Sequence, residues 1–222
     1  MRSPIGDPPA PQTLLEPSAA PTGVTANWSF ASRFLLLNVG LLAYGLGLAA
    51  MIQAQVGLAP WDAFHLGLAA HVSWLTVGQA SIAVGVLLQT IAAAFLGMPI
   101  GIGSVLNALL LGLYIDLFRP HLPTPPGILA PWLLYLGGIF LVGVGTGTYI
   151  ASRFGAGPRD STALGLARRT GWPIRRVRTA IELIALSGGF LLGAKIGWGT
   201  LAYALLSGPA MSAGLRLYGI RK

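Results

Sequence analysis

The chain has 222 residues, of which only 9% are charged and 54% are hydrophobic, against roughly 25% charge in a soluble domain, so an ordinary water-soluble fold is excluded. A net charge of +8 would suit nucleic acid on a polar protein, but here there is no soluble domain to carry a basic face, and the charge reads as membrane topology. Zero cysteines exclude disulfides, thiolate chemistry and Cys-type zinc sites, and leave the redox compartment open.

In chain order, residues 1–32 come first. They carry Pro4, Pro8, Pro9, Pro11, Pro17 and Pro21 and lack the continuous apolar core of a secretory signal, which predicts a disordered cytoplasmic tail. Crossing the hydrocarbon takes about 20 apolar residues in a helix. Spans are expected at Phe34 to Ala54, Leu75 to Leu96 and Gly101 to Phe118, then, after a Pro-rich external linker over 120–131, at Trp132 to Ile150, Thr179 to Ala194 and Ile196 to Leu215. The fifth is short and contains Glu182. These runs are continuous rather than alternating, which is a helical signature and not that of a barrel. Trp28, Trp74, Trp132, Trp172 and Trp198 fall near span ends, where indole rings favour the interface.

The fold expected is an all-α membrane protein of six transmembrane helices, arranged as two three-helix repeats over 33–119 and 132–222. An offset of 98 pairs Gly45 with Gly143, Gly47 with Gly145, Gly57 with Gly155, Pro60 with Pro158, Asp62 with Asp160 and Trp74 with Trp172. Further on, an offset of 96 pairs Gly97, Gly101, Gly103 and Gly112 with Gly193, Gly197, Gly199 and Gly208. With an odd number of spans per repeat, the second copy enters the membrane from the opposite side, which makes the repeat inverted. The charges agree: residues 153–178 hold seven arginines and their counterparts 55–80 hold none. With both termini in the cytoplasm, twelve of the fourteen basic residues lie inside, leaving Arg119 and Lys195 outside. That is the pattern of a multi-pass protein of the bacterial inner membrane, N-in and C-in.

Most of the chemical information lies just after the first span of each repeat, in GLAPWDAFHLGLA and GAGPRDSTALGLA. Gly57 and Gly155 break the chain, Pro60 and Pro158 suit a first helical turn, and Asp62 and Asp160 follow where a carboxylate meets the positive end of the helix dipole. Each segment predicts a helix of about 12 residues, too short to span and therefore re-entrant or interfacial. Two readings stand for the aspartates. They cap their helices, or they form a paired centre near the midplane that holds a proton or cation, as broken helices do in inverted-repeat transporters.

His65 lies on the first short helix opposite Ala163, and packing competes with a proton-relay role. Asn38, Gln89 and Asn107 either bond between helices or line a path. Glu182 is expected to pair with Arg178 one turn earlier, and Asp116 with Arg119. Arg168, Arg169, Arg175, Arg176 and Arg178 form a topology-setting loop that also suits anionic lipid headgroups. Lipid is thus the expected partner, with room for a homo-oligomer and no role for nucleic acid; no cofactor or metal is expected.

The run N-x-G-L-x-x-x-G-L-G-L from Asn38, GLAPWD over 57–62 and GIGSVLNALLLGLYIDL over 101–117 resemble the bacterial YczE-type membrane proteins, grouped with YyaS and the YitT-like family. The likeness covers roughly residues 33 to 218. It implies a bacterial inner-membrane protein described as a possible transporter, and brings no catalytic residues. A small secondary transporter is the leading expectation. The alternative is a non-transporting scaffold or accessory protein whose arginine loop recruits lipid or a partner. An enzyme is not expected, since neither HExxH nor Gly-x-Ser-x-Gly occurs.

Overall fold

The structure is a computed structural model that describes residues 24–220; the expected disorder of the tail falls, for residues 1–23, outside them. Every regular element in that range is helical. The chain runs through α1 (Phe30–Ala54), α2 (Pro60–His71), α3 (Val77–Leu96), α4 (Ile102–Phe118), α5 (Leu129–Ala151), α6 (Pro158–Thr170), α7 (Ile174–Leu191) and α8 (Trp198–Arg216). Each half therefore has one long helix, one short helix and two further long ones. The start of α1 lies four residues before its expected position, at Phe30, because Ser29 caps it by accepting from the Ser32 amide. Just ahead, the Thr25 hydroxyl donates to the Ala151 carbonyl at 2.7 Å, which ties residues 24–27 to the end of α5.

Among the described residues, four helical stretches are long and apolar enough to cross a membrane: Phe30–Ala54, Val77–Leu96, Ile102–His121 and Leu129–Ala151. Neither α7, with three arginines and Glu182, nor α8, with Pro209 inside it, belongs to that set. The two short helices form as their punctuation requires. Pro60 and Pro158 occupy the first turns, and Gly57 (φ 141°) and Gly155 (φ 116°) take a backbone conformation that side chains disfavour.

At the centre α1 lies against α5, with α4 flanking α1 and α8 flanking α5; α2 packs on α7, and α3 on α6. Many contacts recur in the other half at the offsets of 98 and 96. A Cβ on Gly40 would meet Gly145 and Tyr149, and one on Gly138 would meet Gly47 and Met51. The Gly103 amide donates to the Phe154 carbonyl at 2.8 Å, and the Gly199 amide to the Val56 carbonyl at 2.9 Å. Ser104 and Thr200 accept from Gly101 and Gly197 at the starts of α4 and α8. Lipid offers no hydrophobic drive between helices, so this close approach, which only small residues permit, supplies the dispersion contacts that hold the bundle.

One contact lacks its counterpart. Helices α3 and α4 meet backbone to backbone, where a methyl on Gly112 would collide with the Gly78 carbonyl. Helices α7 and α8 have no extended contact, and Gly208, the equivalent of Gly112, has nothing within 4 Å of where its Cβ would be.

A candidate polar centre between two short helices

The first turns of α2 and α6 meet. The Arg159 guanidinium lies over the Trp61 ring, 4.9 Å from its centroid, within the range of a cation–π contact. These two residues are register equivalents, 98 positions apart. Beside them, Asp62 and Asp160 occupy equivalent positions and very different surroundings.

Asp160 is held twice. Its Oδ1 accepts from Arg178 on α7 at 2.7 Å and its Oδ2 from the Tyr149 hydroxyl on α5 at 2.8 Å. Tyr149 in turn stacks on Tyr44 of α1, with ring centroids 6.3 Å apart. Arg178 and Asp160 form the one salt bridge among the described residues. This corrects the expected Arg178–Glu182 pair: the guanidinium reaches back 18 residues to α6 rather than along its own helix. The expected Asp116–Arg119 pair is also replaced, since Asp116 accepts from the Gly78 amide at 2.8 Å and from the Thr76 hydroxyl, closing the start of α3.

Asp62 is 1% exposed and neither of its oxygens has a hydrogen-bond partner. His65, one turn on, is also 1% exposed, and neither ring nitrogen has a partner. Register explains the vacancy. The position equivalent to Tyr149 is Met51, and those equivalent to Arg178 fall within Ala80 to Ile82, where no residue is basic. Asp62 therefore sits in a copy of the Asp160 site from which both partners are missing. Neither aspartate makes a capping bond to its own helix; Ala59 and Gly157 stand at the N-cap positions without side-chain bonds. An unpaired ionised carboxylate at such a depth costs several kcal/mol. Taking up a proton or a cation would relieve that cost.

The other predicted site residues separate. Asn107 is buried against Gly157 at the start of α6. Gln89 is buried on α3 with both amide atoms unpartnered, and its neighbour Leu88 accepts from Thr162 of α6 at 3.2 Å. Asn38 is not part of the centre, because its amide donates to Phe34 of its own helix at 2.8 Å. The arginines expected in a basic loop lie on helices instead: Arg168 and Arg169 in the last turn of α6, and Arg175, Arg176 and Arg178 at the start of α7. Arg169 donates to the Phe95 carbonyl at the end of α3 at 2.6 Å and Arg168 approaches the Met98 sulfur at 3.9 Å; Arg175 and Arg176 are exposed. Among the described residues no group of three or more His, Asp or Glu is placed to hold a metal ion. Sequence reasoning missed Trp61, Arg159 and Tyr149. The first two were within reach, since the repeat alignment sets them opposite each other, whereas nothing local marks Tyr149.

Comparison with known proteins gives the family. A family model described as a family of unknown function, DUF6198, matches residues 31–214. The chain belongs to that family. It is 36% identical to the Bacillus subtilis membrane protein YczE over 79% of this chain and 82% of that one. A Haemophilus influenzae protein is 29% identical over 80% of this chain and 79% of its own. YyaS of Bacillus subtilis is 28% identical over 79% and 89%. No solved structure matches. Family membership together with four membrane-length apolar helices makes the chain an all-helical membrane protein of the YczE type.

Proposed function

We propose that the chain is a small secondary transporter of the bacterial inner membrane, built from two inverted three-span repeats with both termini in the cytoplasm. In this reading α7 and α8 complete the six spans and α2 and α6 are re-entrant. The recurrence of contacts at offsets 98 and 96 supports the repeat, and twelve of fourteen basic residues favour the orientation. The observation that carries the functional reading is Asp62 with His65, four polar side-chain atoms buried without a partner, where two broken helices meet. Such a place near the midplane is where inverted-repeat transporters hold their coupling ions. Asp62 takes the coupling proton or cation, His65 shares it, and Asp160 is fixed scaffolding.

The test is flux in proteoliposomes, screened across charged and neutral metabolite classes, for the native chain and for Asp62→Asn. The amide keeps the shape and removes the ionisable group, so coupled flux is lost while folded protein remains. Undiminished flux in Asp62→Asn overturns the assignment. Orientation is tested separately with Ser3→Cys and Lys222→Cys: both thiols are protected from an impermeant reagent in intact cells, and labelling of either sinks the N-in, C-in topology.

A further inference from the structure

We propose that Asp116 latches an external gate between α3 and α4, that the splayed pair α7 and α8 is the matching cytoplasmic gate in its open form, and that the protein exchanges these two conditions between its halves. This rests on the transporter reading and its orientation.

The contrast between the hairpins is specific. In the first, Gly78 and Gly112 touch, Ala108 and Leu111 are buried, and Asp116 spans the open end by binding Thr76 and Gly78. Beside the latch a cavity of about 460 Å³ is lined by Leu66, Ala69, Thr76, Val77, Asp116 and Arg119. It is an open hollow, here called the vestibule, at the start of α3 and the end of α4. In the second hairpin the equivalent residues are Gly208, Ala204, Ser207 and Ser212. Gly208 and Ala204 are exposed and Ser207 and Ser212 half-buried. Two sequence differences accompany the contrast. Pro209 follows Gly208 inside α8, where α4 has Leu113 after Gly112, and a proline inside a helix removes one of its hydrogen bonds. Ser212 also offers α7 a neutral hydroxyl where Asp116 offers α3 a carboxylate.

The α3–α4 loop is cytoplasmic, so that hairpin's free end, sealed here, is external. The α7–α8 loop is external, so the free end that stands open is cytoplasmic. The structure is accordingly sealed on the external side and loosened between α7 and α8, with Asp62 itself still buried. If the halves are interchangeable, the outward-open form has α7 closed on α8 around Gly208, and α3 released from Asp116, so that α2 and Asp62 face the vestibule.

Because the chain has no cysteine, pairs can be introduced cleanly. In right-side-out membranes, Thr76→Cys with Asp116→Cys, in which a disulfide takes the place of the latch, serves as the reference pair and cross-links readily under a zero-length oxidant. Ile174→Cys with Gly208→Cys, the equivalents of Gly78 and Gly112, cross-links slowly as the minor form is visited. Locking that second pair raises external labelling of Ser81→Cys by about tenfold or more, since an unlocked minor form occupies about 10% or less. If folded protein carrying the Ile174 and Gly208 pair never cross-links, or cross-links without raising Ser81→Cys labelling, the proposal is overturned. Flux separates the two readings. Transport without the second cross-link removes this gate and keeps the transporter; the cross-link and labelling change without flux for any solute keep the gate and remove the transporter.

Discussion

Asp62 and Asp160 sit at the same place in two copies of one motif, and the surroundings differ in every way that matters to a carboxylate. The second copy gives its aspartate a guanidinium and a phenol. The first supplies Met51 and a stretch without a basic residue, and leaves the carboxylate buried and free. The lesson is that a motif match does not carry function by itself, because the free energy of a buried charge is decided by groups the motif does not contain.

The largest effect that would sharpen this contrast concerns the hairpins. Gly112→Leu drives a side chain into the Gly78 backbone and costs about 3 kcal/mol or more, with much of the protein lost from the membrane fraction. Gly208→Leu has open space and expresses normally. Equal losses for both would erase the difference between the halves, and thermal unfolding in detergent decides it.

The aspartates come next. Asp160→Asn strands Arg178, whose side chain is 39% exposed against 23% for Asp160, so the penalty lies between those of exposed and buried pairs, about 2 kcal/mol. Asp62→Asn strands no partner and leaves the melting temperature unchanged or higher. A drop in both variants would mean that Asp62 has a structural partner. The smallest expected effect is a matched one: Ser104→Ala and Thr200→Val each remove a helix-start hydrogen bond and a second bond to the other half, from Ser104 to the Ala156 carbonyl and from the Leu58 amide to Thr200, and cost about 1.5 kcal/mol. A loss several times larger on one side would show that these starts are not equivalent.

Most helix positions were legible because uninterrupted apolar runs admit few alternatives, and the short helices because Gly57, Pro60, Gly155 and Pro158 punctuate those runs; α7 was not, since it begins at Ile174, five residues before the expected Thr179, and takes Arg175, Arg176 and Arg178 into its first turns. The bonds of the charged side chains were not. Glu182 lies one turn from Arg178, as a helix-local rule prefers, but the choice of Asp160 depends on how α6 folds back against α7, which no spacing along the chain records. Asn38 shows the same limit: its apolar neighbourhood marks it as a polar group in a span, and nothing in the sequence tells that its amide is spent on Phe34. The vacancy around Asp62 was readable in part, since alignment of the halves places Met51 opposite Tyr149.

Trp61 and Arg159 touch although each is the other's register equivalent. Two identical subunits meeting about a two-fold axis could place at such a point only indole on indole, or guanidinium on guanidinium. A cation–π contact between equivalent positions requires two different residues, and therefore two separately heritable copies of the segment. Joining both halves in one chain removes the self-pairing constraint at the axis and fixes their ratio at one to one. The same freedom allows one aspartate to keep its partners while the other goes without.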